Sequence, residues 1–221
     1  MTAPPDPVIL VADDHPLVRS AVRSAVRHGH PGAELLECAT LDEVLAALEA
    51  RQGRVDLALL DLNMPGSQGL LGLFVLLGSH PTVPAAIISA VSDPATIRHA
   101  LACGAAGYIP KSLPMEEIGA AVDLILEGGI FVPPGVEPEP PREAEVDLAR
   151  RIASLSPQQT RVLAMMAEGK LNKQISFALG LAEQTVKQHV TQIFRKLGVA
   201  SRTQAVILLN QLNIRLDGQE G

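Results

Sequence analysis

Aromatic side chains are nearly missing from this chain of 221 residues, which has no tryptophan, one tyrosine (Tyr108) and four phenylalanines. Its core must therefore be aliphatic, and with 47% hydrophobic residues the chain is globular, not disordered. Long apolar runs are missing as well. The stretch from Leu70 to Gly78 is among the longest, well short of the roughly 20 residues that span a bilayer. No secretory leader is read ahead of the first apolar segment, so no membrane association is expected. Cysteine is scarce: Cys38 and Cys103 each sit inside an apolar run and read as small buried hydrophobes, not as a disulfide or a thiolate metal site. A reducing cytoplasm is the expected compartment.

Charge is unevenly divided along the chain. Residues 1–149 carry a net −12 and residues 150–221 a net +6. An acidic front and a basic end suggest that only the latter meets a polyanion. The length suits two ordinary domains. From Pro7 to Gly129, β-rich apolar runs near 7–13, 33–38, 56–61, 83–89 and 106–110 alternate with segments of helical periodicity such as Leu17, Val18, Ala21, Val22, Ala25 and Val26. This predicts a (βα)5 unit of the α/β class over 1–131. Residues 132–153, opening with VPPGVEPEPPREAEVD, read as a linker rich in proline and acid. Residues 154–221 read as an all-α domain of four helices near 157–168, 172–180, 183–197 and 202–213. Capping boxes are expected at Ser156 with Gln159 and at Ser201 with Gln204.

Polar residues stand where four apolar runs end. Asp13 and Asp14 close VILVADD, Asp61 closes VDLALLD, Ser89 closes AAIIS, and Lys111 follows AAGYIP. In an open parallel sheet those ends meet at one edge, where ligands bind. An aspartate at a strand end is commonly just a turn former; the combination is what carries weight. Carboxylates gathered in one place repel unless a cation sits among them, and an oxygen-only donor set suits Mg2+. A divalent metal with one lysine suits phosphoryl transfer. No nucleophile–base pair of a substrate-transforming enzyme stands out.

DDHPLVR, LLDLNMPG, the Ser89 strand end and GYIPKS together resemble the flavodoxin-like receiver domain of two-component response regulators. The resemblance implies that Asp61 accepts a phosphoryl group from a sensor histidine kinase. It implies that Asp13, Asp14, Asp61 and the backbone carbonyl of Asn63 hold Mg2+, and that Lys111 pairs with Asp61 at rest and with the phosphoryl group afterwards. Ser89 would donate its hydroxyl to that group, and Tyr108 would turn into the space opened as Ser89 moves. His15 is given no chemistry.

The stretch from Leu155 to Val206 resembles the LuxR-type helix-turn-helix of NarL/FixJ regulators. Val186, Val190, Ile193, Phe194 and Leu197 share one helix face, leaving Lys187, Gln188, Thr191, Gln192 and Arg195 on the other. Thr185, Lys187, Gln188, Thr191 and Gln192 are expected at a DNA groove, with Lys173, Arg195, Lys196 and Arg202 meeting phosphates. Ala205, Val206, Leu209 and Leu212 form a stripe that is either core or dimer seam. Leu171 and Ala182 stand where the family usually has Ser or Thr caps, each worth about 1 kcal/mol, and Asn172 is expected to take over the first. The expected protein is a regulator that binds promoter DNA, as a homodimer when phosphorylated. The alternative is a phosphorylation-gated module whose helical domain binds protein.

Overall fold

The computed structural model describes residues 6–67, 69–137 and 143–211. Strands and helices alternate as β1 (Val8–Ala12), α1 (Pro16–Gly29), β2 (Glu34–Cys38), α2 (Leu41–Ala50), β3 (Leu57–Leu60), α3 (Leu71–Ser79), β4 (Ala85–Ser89), α4 (Pro94–Ala102), β5 (Gly107–Pro110) and α5 (Met115–Leu126). The strands pair in parallel in the order β2-β1-β3-β4-β5. Each lies where a strand was expected. Alternating side chains build two cores. Ile9, Val11, Leu57, Leu59, Ile88 and Ile109 face α1 and α5, whereas Leu10, Ala12, Ala58, Leu60, Ile87 and Tyr108 face α2, α3 and α4.

Five further helices follow: α6 (Glu143–Ala153), α7 (Pro157–Ala167), α8 (Asn172–Leu179), α9 (Glu183–Leu197) and α10 (Arg202–Gln211). Ser156 and Gln159 form the expected capping box on α7. At the start of α10, Ser201 accepts from the Gln204 amide, but Gln204 reaches back to the Ala200 amide, one residue earlier than a box requires. Leu171 has no side-chain acceptor, and Gln174, not Asn172, closes the start of α8 by accepting from the Leu171 amide at 2.8 Å. Gly180 and Gly198 end α8 and α9 with φ of 64° and 69°, a conformation that favours glycine. Leu212 lies outside the described residues. No helix among the described residues is long and apolar enough to cross a membrane.

The linker reading of 132–153 needs correction, because Glu143–Ala153 is helical. Leu148 and Ile152, one turn apart, are buried with Leu155 in the same core as α3. Proline is confined to the first part of the segment; from Glu143 onward none interrupts a helical period. The partner explains the order. From Leu71 to Leu76 every residue of α3 is buried, on all sides, because the sheet covers one flank and α6 the other. Arg161 of α7 adds an ion pair to Asp42 of α2, Nε to Oδ1 at 2.5 Å.

At Gly78 α3 and α6 approach closely, since a Cβ there would lie 2.6 Å from the Ala153 carbonyl oxygen and 2.7 Å from its Cα. Gly78→Ala therefore sets a helix-propensity gain of up to about 1 kcal/mol against an overpacking cost of about 1–3 kcal/mol. The clash is with backbone, which cannot step aside, so the variant is expected to unfold at lower urea concentration than the parent. An unchanged or higher midpoint would contradict this packing.

Candidate functional site

The register of the sheet assembles the site. Ala12 of β1 is paired with Leu60 of β3, so Asp13 and Asp61 leave neighbouring strands side by side. Ser89 of β4 is paired with Pro110 of β5, so Lys111 follows directly. Backbone bonds extend both pairings past the strands, from the Asp61 amide to the Ala12 carbonyl and from the Lys111 amide to the Ser89 carbonyl, each 2.8 Å. This edge includes the point where strand order reverses between β1 and β3, the usual place for a ligand in an open α/β sheet.

Asp13 and Ser89 are fully buried and Asp61 is 2% exposed. Lys111 Nζ lies 2.6 Å from Asp13 Oδ2 and 3.1 Å from Asp61 Oδ1, one ammonium shared by two carboxylates. Burial pushes the Asp61 carboxyl above its ordinary range; the Lys111 charge opposes this and the nearby Asp13 charge adds to it. Asp14 is partly exposed, and its Oδ1 faces His15 Nδ1 at 2.7 Å. Asp13 Oδ2, Asp14 Oδ1 and Asp61 Oδ1 accept no hydrogen bond of regular geometry, their neighbours being those cationic or titratable nitrogens. Such oxygens fit a hard cation. Ligand atoms of Asp13, Asp14 and His15 fall within 4.8 Å of one another, so His15, which the sequence reading left without a role, stands beside the acidic pair.

Outside the buried carboxylates lies a hollow of about 320 Å³, between Asp14 and the loop from Asn63 to Ser67. Its lining includes Glu168, which follows α7 and is paired with Lys170 at 2.5 Å. Sequence reasoning missed Glu168. Nothing in its neighbourhood marks it, and only the packing of α6 and α7 on α3 carries it there.

Tyr108 is fully buried, and its hydroxyl donates to the Val91 carbonyl at 2.8 Å. Ser89 Oγ accepts from the Val91 amide at 3.2 Å, so both side chains hold the same residue of the β4–α4 loop.

On α9, Val186, Ile193 and Leu197 are buried, while Lys187, Gln188, Thr191, Gln192 and Arg195 are exposed and Thr185 is half-buried. Lys187 pairs with Glu183 one turn earlier at 3.1 Å, and the Thr191 hydroxyl donates back to the Lys187 carbonyl. Gln192 accepts from Gln159 Nε2 at 2.6 Å. Lys173 is exposed at the start of α8. Two cations expected at phosphates are occupied elsewhere. Lys196 Nζ donates to the Ser154 carbonyl and to Gln159, at 2.6 and 2.8 Å. Arg202 Nη2 donates to the carbonyls of Met166 and Lys170, at 2.9 and 2.6 Å, holding the turn that carries Glu168.

Known proteins resemble this arrangement throughout. Residues 9–123 match the response regulator receiver domain, and residues 153–209 match the bacterial regulatory proteins of the luxR family. The glycerol metabolism activator of Pseudomonas putida is 41% identical over 206 residues, covering 90% of this chain and 93% of that protein. The nitrate/nitrite response regulator NarP of Escherichia coli is 35% identical over 207 residues, covering 92% and 94%. Among solved structures, a LuxR family DNA-binding response regulator from Silicibacter pomeroyi is 38% identical with a TM-score of 0.51, over 58% of this chain and 98% of that one. An RcsB–DNA complex, 20% identical with a TM-score of 0.54 over 93% and 98%, bears on the fold alone.

Because the chain has one tyrosine and no tryptophan, phenolate absorbance reports Tyr108 alone. Burial pushes that phenol up to about 12. A raised value means the fold favours the neutral ring. The associated stability is complete below the unfolded value near 10 and is lost as pH rises from there through about 12. Spectrophotometric titration is expected to show little phenolate at pH ~11 in the native chain and mostly phenolate in urea. Coincident curves would place the ring in water.

Proposed function

We infer, for a chain that belongs to the response regulators with a luxR-family DNA-binding domain, that Asp61 accepts a phosphoryl group from a sensor histidine kinase and that α9 carries the outcome to promoter DNA. The observation that carries this is the buried Asp61 sharing Lys111 with Asp13, at the sheet end where strand order reverses. An Asp61 carboxylate oxygen attacks phosphorus, the phosphorus–nitrogen bond of the donor histidine breaks, and its electron pair returns to the imidazole. The product is an acyl phosphate, which water later hydrolyses. The chain is a transcription regulator, and this self-directed exchange is the only chemistry proposed for it.

Each residue has a separate task. Lys111, released from its shared position, meets a phosphoryl oxygen and keeps the added charge from being stranded in a buried site. Ser89 offers its hydroxyl to a second oxygen. Asp13, Asp14, Asp61 and the Asn63 carbonyl would hold Mg2+. Bound Mg2+ would offset the mutual repulsion of the carboxylates and of the incoming phosphoryl oxygens.

In the second domain, the exposed Lys187, Gln188, Thr191 and Arg195 suit a major groove. The luxR-family match over residues 153–209 favours DNA over a protein partner for this domain. Pairing of two chains would bring a second α9 to a neighbouring half-site and raise occupancy through effective concentration, without any new base contact. We place the protein in the cytoplasm, where kinase and promoter are both reached.

Asp61→Asn is expected to abolish labelling by acetyl phosphate in Mg2+, read by intact mass; a retained 80-Da adduct, about the mass of one phosphoryl group, would remove Asp61 from this role. Lys187→Ala is expected to weaken binding to a selected duplex by about 1–3 kcal/mol if it reads a base, or to lower the salt slope by about 1 if it holds a phosphate. If affinity and slope were both unchanged, α9 would not be the reading helix.

A further inference from the structure

We propose that the docked chain is itself the DNA-binding form, because the first domain holds the second by its back and leaves the reading face of α9 open. The inference rests on the DNA-binding reading above and goes beyond it: a phosphoryl group on Asp61 has no covered surface to uncover.

The layering carries the argument. The first domain reaches the second through α6 and α7, which lie on α3. The same two helices also pack against α9, whose Val186, Ile193 and Leu197 are buried. Polar ties fasten that contact. Arg151 Nη1 of α6 donates to the Leu197 carbonyl at 3.1 Å, Lys196 donates to the Ser154 carbonyl, and Gln159 of α7 donates to Gln192. A helix that turns one face to α6 and α7 turns its opposite face away from whatever lies behind them. Lys187, Gln188, Thr191 and Arg195 occupy that opposite face. All four are exposed with the first domain in place, Lys187 with 55% of its side chain accessible.

The dock is also poorly suited to opening. Separation would give water the apolar flank of α3 together with Leu148, Ile152 and Leu155, and would break the Asp42–Arg161 pair. A contact of this kind is a bracket that sets where α9 stands relative to the sheet.

The test fastens the dock and then wedges it. Asp42→Cys with Arg161→Cys, joined by a short bis-methanethiosulfonate that reductant releases, ties the two domains at their ion pair. Wild type, with Cys38 and Cys103, goes through the same treatment as control. The probe is a set of DNA duplexes selected from random sequence by the wild-type chain. The tied chain is expected to bind these within about twofold of its reduced form, whereas a loss of about tenfold or more on tying, recovered on reduction, would overturn the proposal. Gly78→Leu, which pushes α3 from α6, is the second arm. It is expected to bind no more tightly than wild type, and tighter binding would mean that docking hides the reading face. If selection with wild type enriched no duplex, the DNA-binding reading and this proposal would both fall; enrichment followed by loss on tying would overturn the proposal alone.

Discussion

Two buried carboxylates share one ammonium at the carboxyl edge of the sheet, and the front half of the molecule is arranged around that fact. Asp13 and Asp61 stand on adjacent strands with nearly no access to water, and Lys111 reaches both. Burial pushes the Asp61 carboxyl up, the Lys111 ammonium opposes this and the neighbouring Asp13 carboxylate adds to it. The arrangement keeps two carboxylates out of water around one ammonium, an electrostatically costly site that a further cation would relieve. Reactive sites are commonly made this way, with the unfavourable local term offset by packing elsewhere.

That packing lies in the two aliphatic cores. One is closed by α1 and α5 and belongs to the first domain alone. The other passes from the sheet through α3 into α6, α7 and α9 without interruption. A change of loop position near Asp61 is therefore made next to a helix that is itself part of the boundary between domains. Ser89 and Tyr108 hold one residue of the β4–α4 loop, Val91, from two directions. This gives that loop a defined position around which a second arrangement could form.

Much was legible in order alone. Short β-rich apolar runs marked five strands, period-3.6 patterns marked the helices other than α6, and the polar residues closing four apolar runs pointed to one sheet edge. Other features were misread for identifiable reasons. Proline and acid dominate the start of 132–153, and this hid the helix from Glu143 onward, whose apolar positions have meaning only with α3 beside them. The uniformly apolar stretch from Leu70 to Gly78 was itself a signal, since a helix with no polar face has to be covered all round. The charges of Lys196 and Arg202 are visible in the sequence, whereas the carbonyls to which they donate are not.

Sequence by itself determined the chemical inventory: an aliphatic α/β unit ending its strands in carboxylates, a hydroxyl and an amine, then a basic helical unit with one polar helix face. These follow from local periodicity and residue type, which need no distant partner. Only tertiary structure decided that Lys111 bridges Asp13 and Asp61, that Tyr108 is already inside, that Glu168 lines the hollow beside Asp14, and that α6 joins the two domains with α9 facing outward. Each of those depends on distance between residues far apart in the chain, a quantity that strand register and helix packing set and that a linear pattern does not contain.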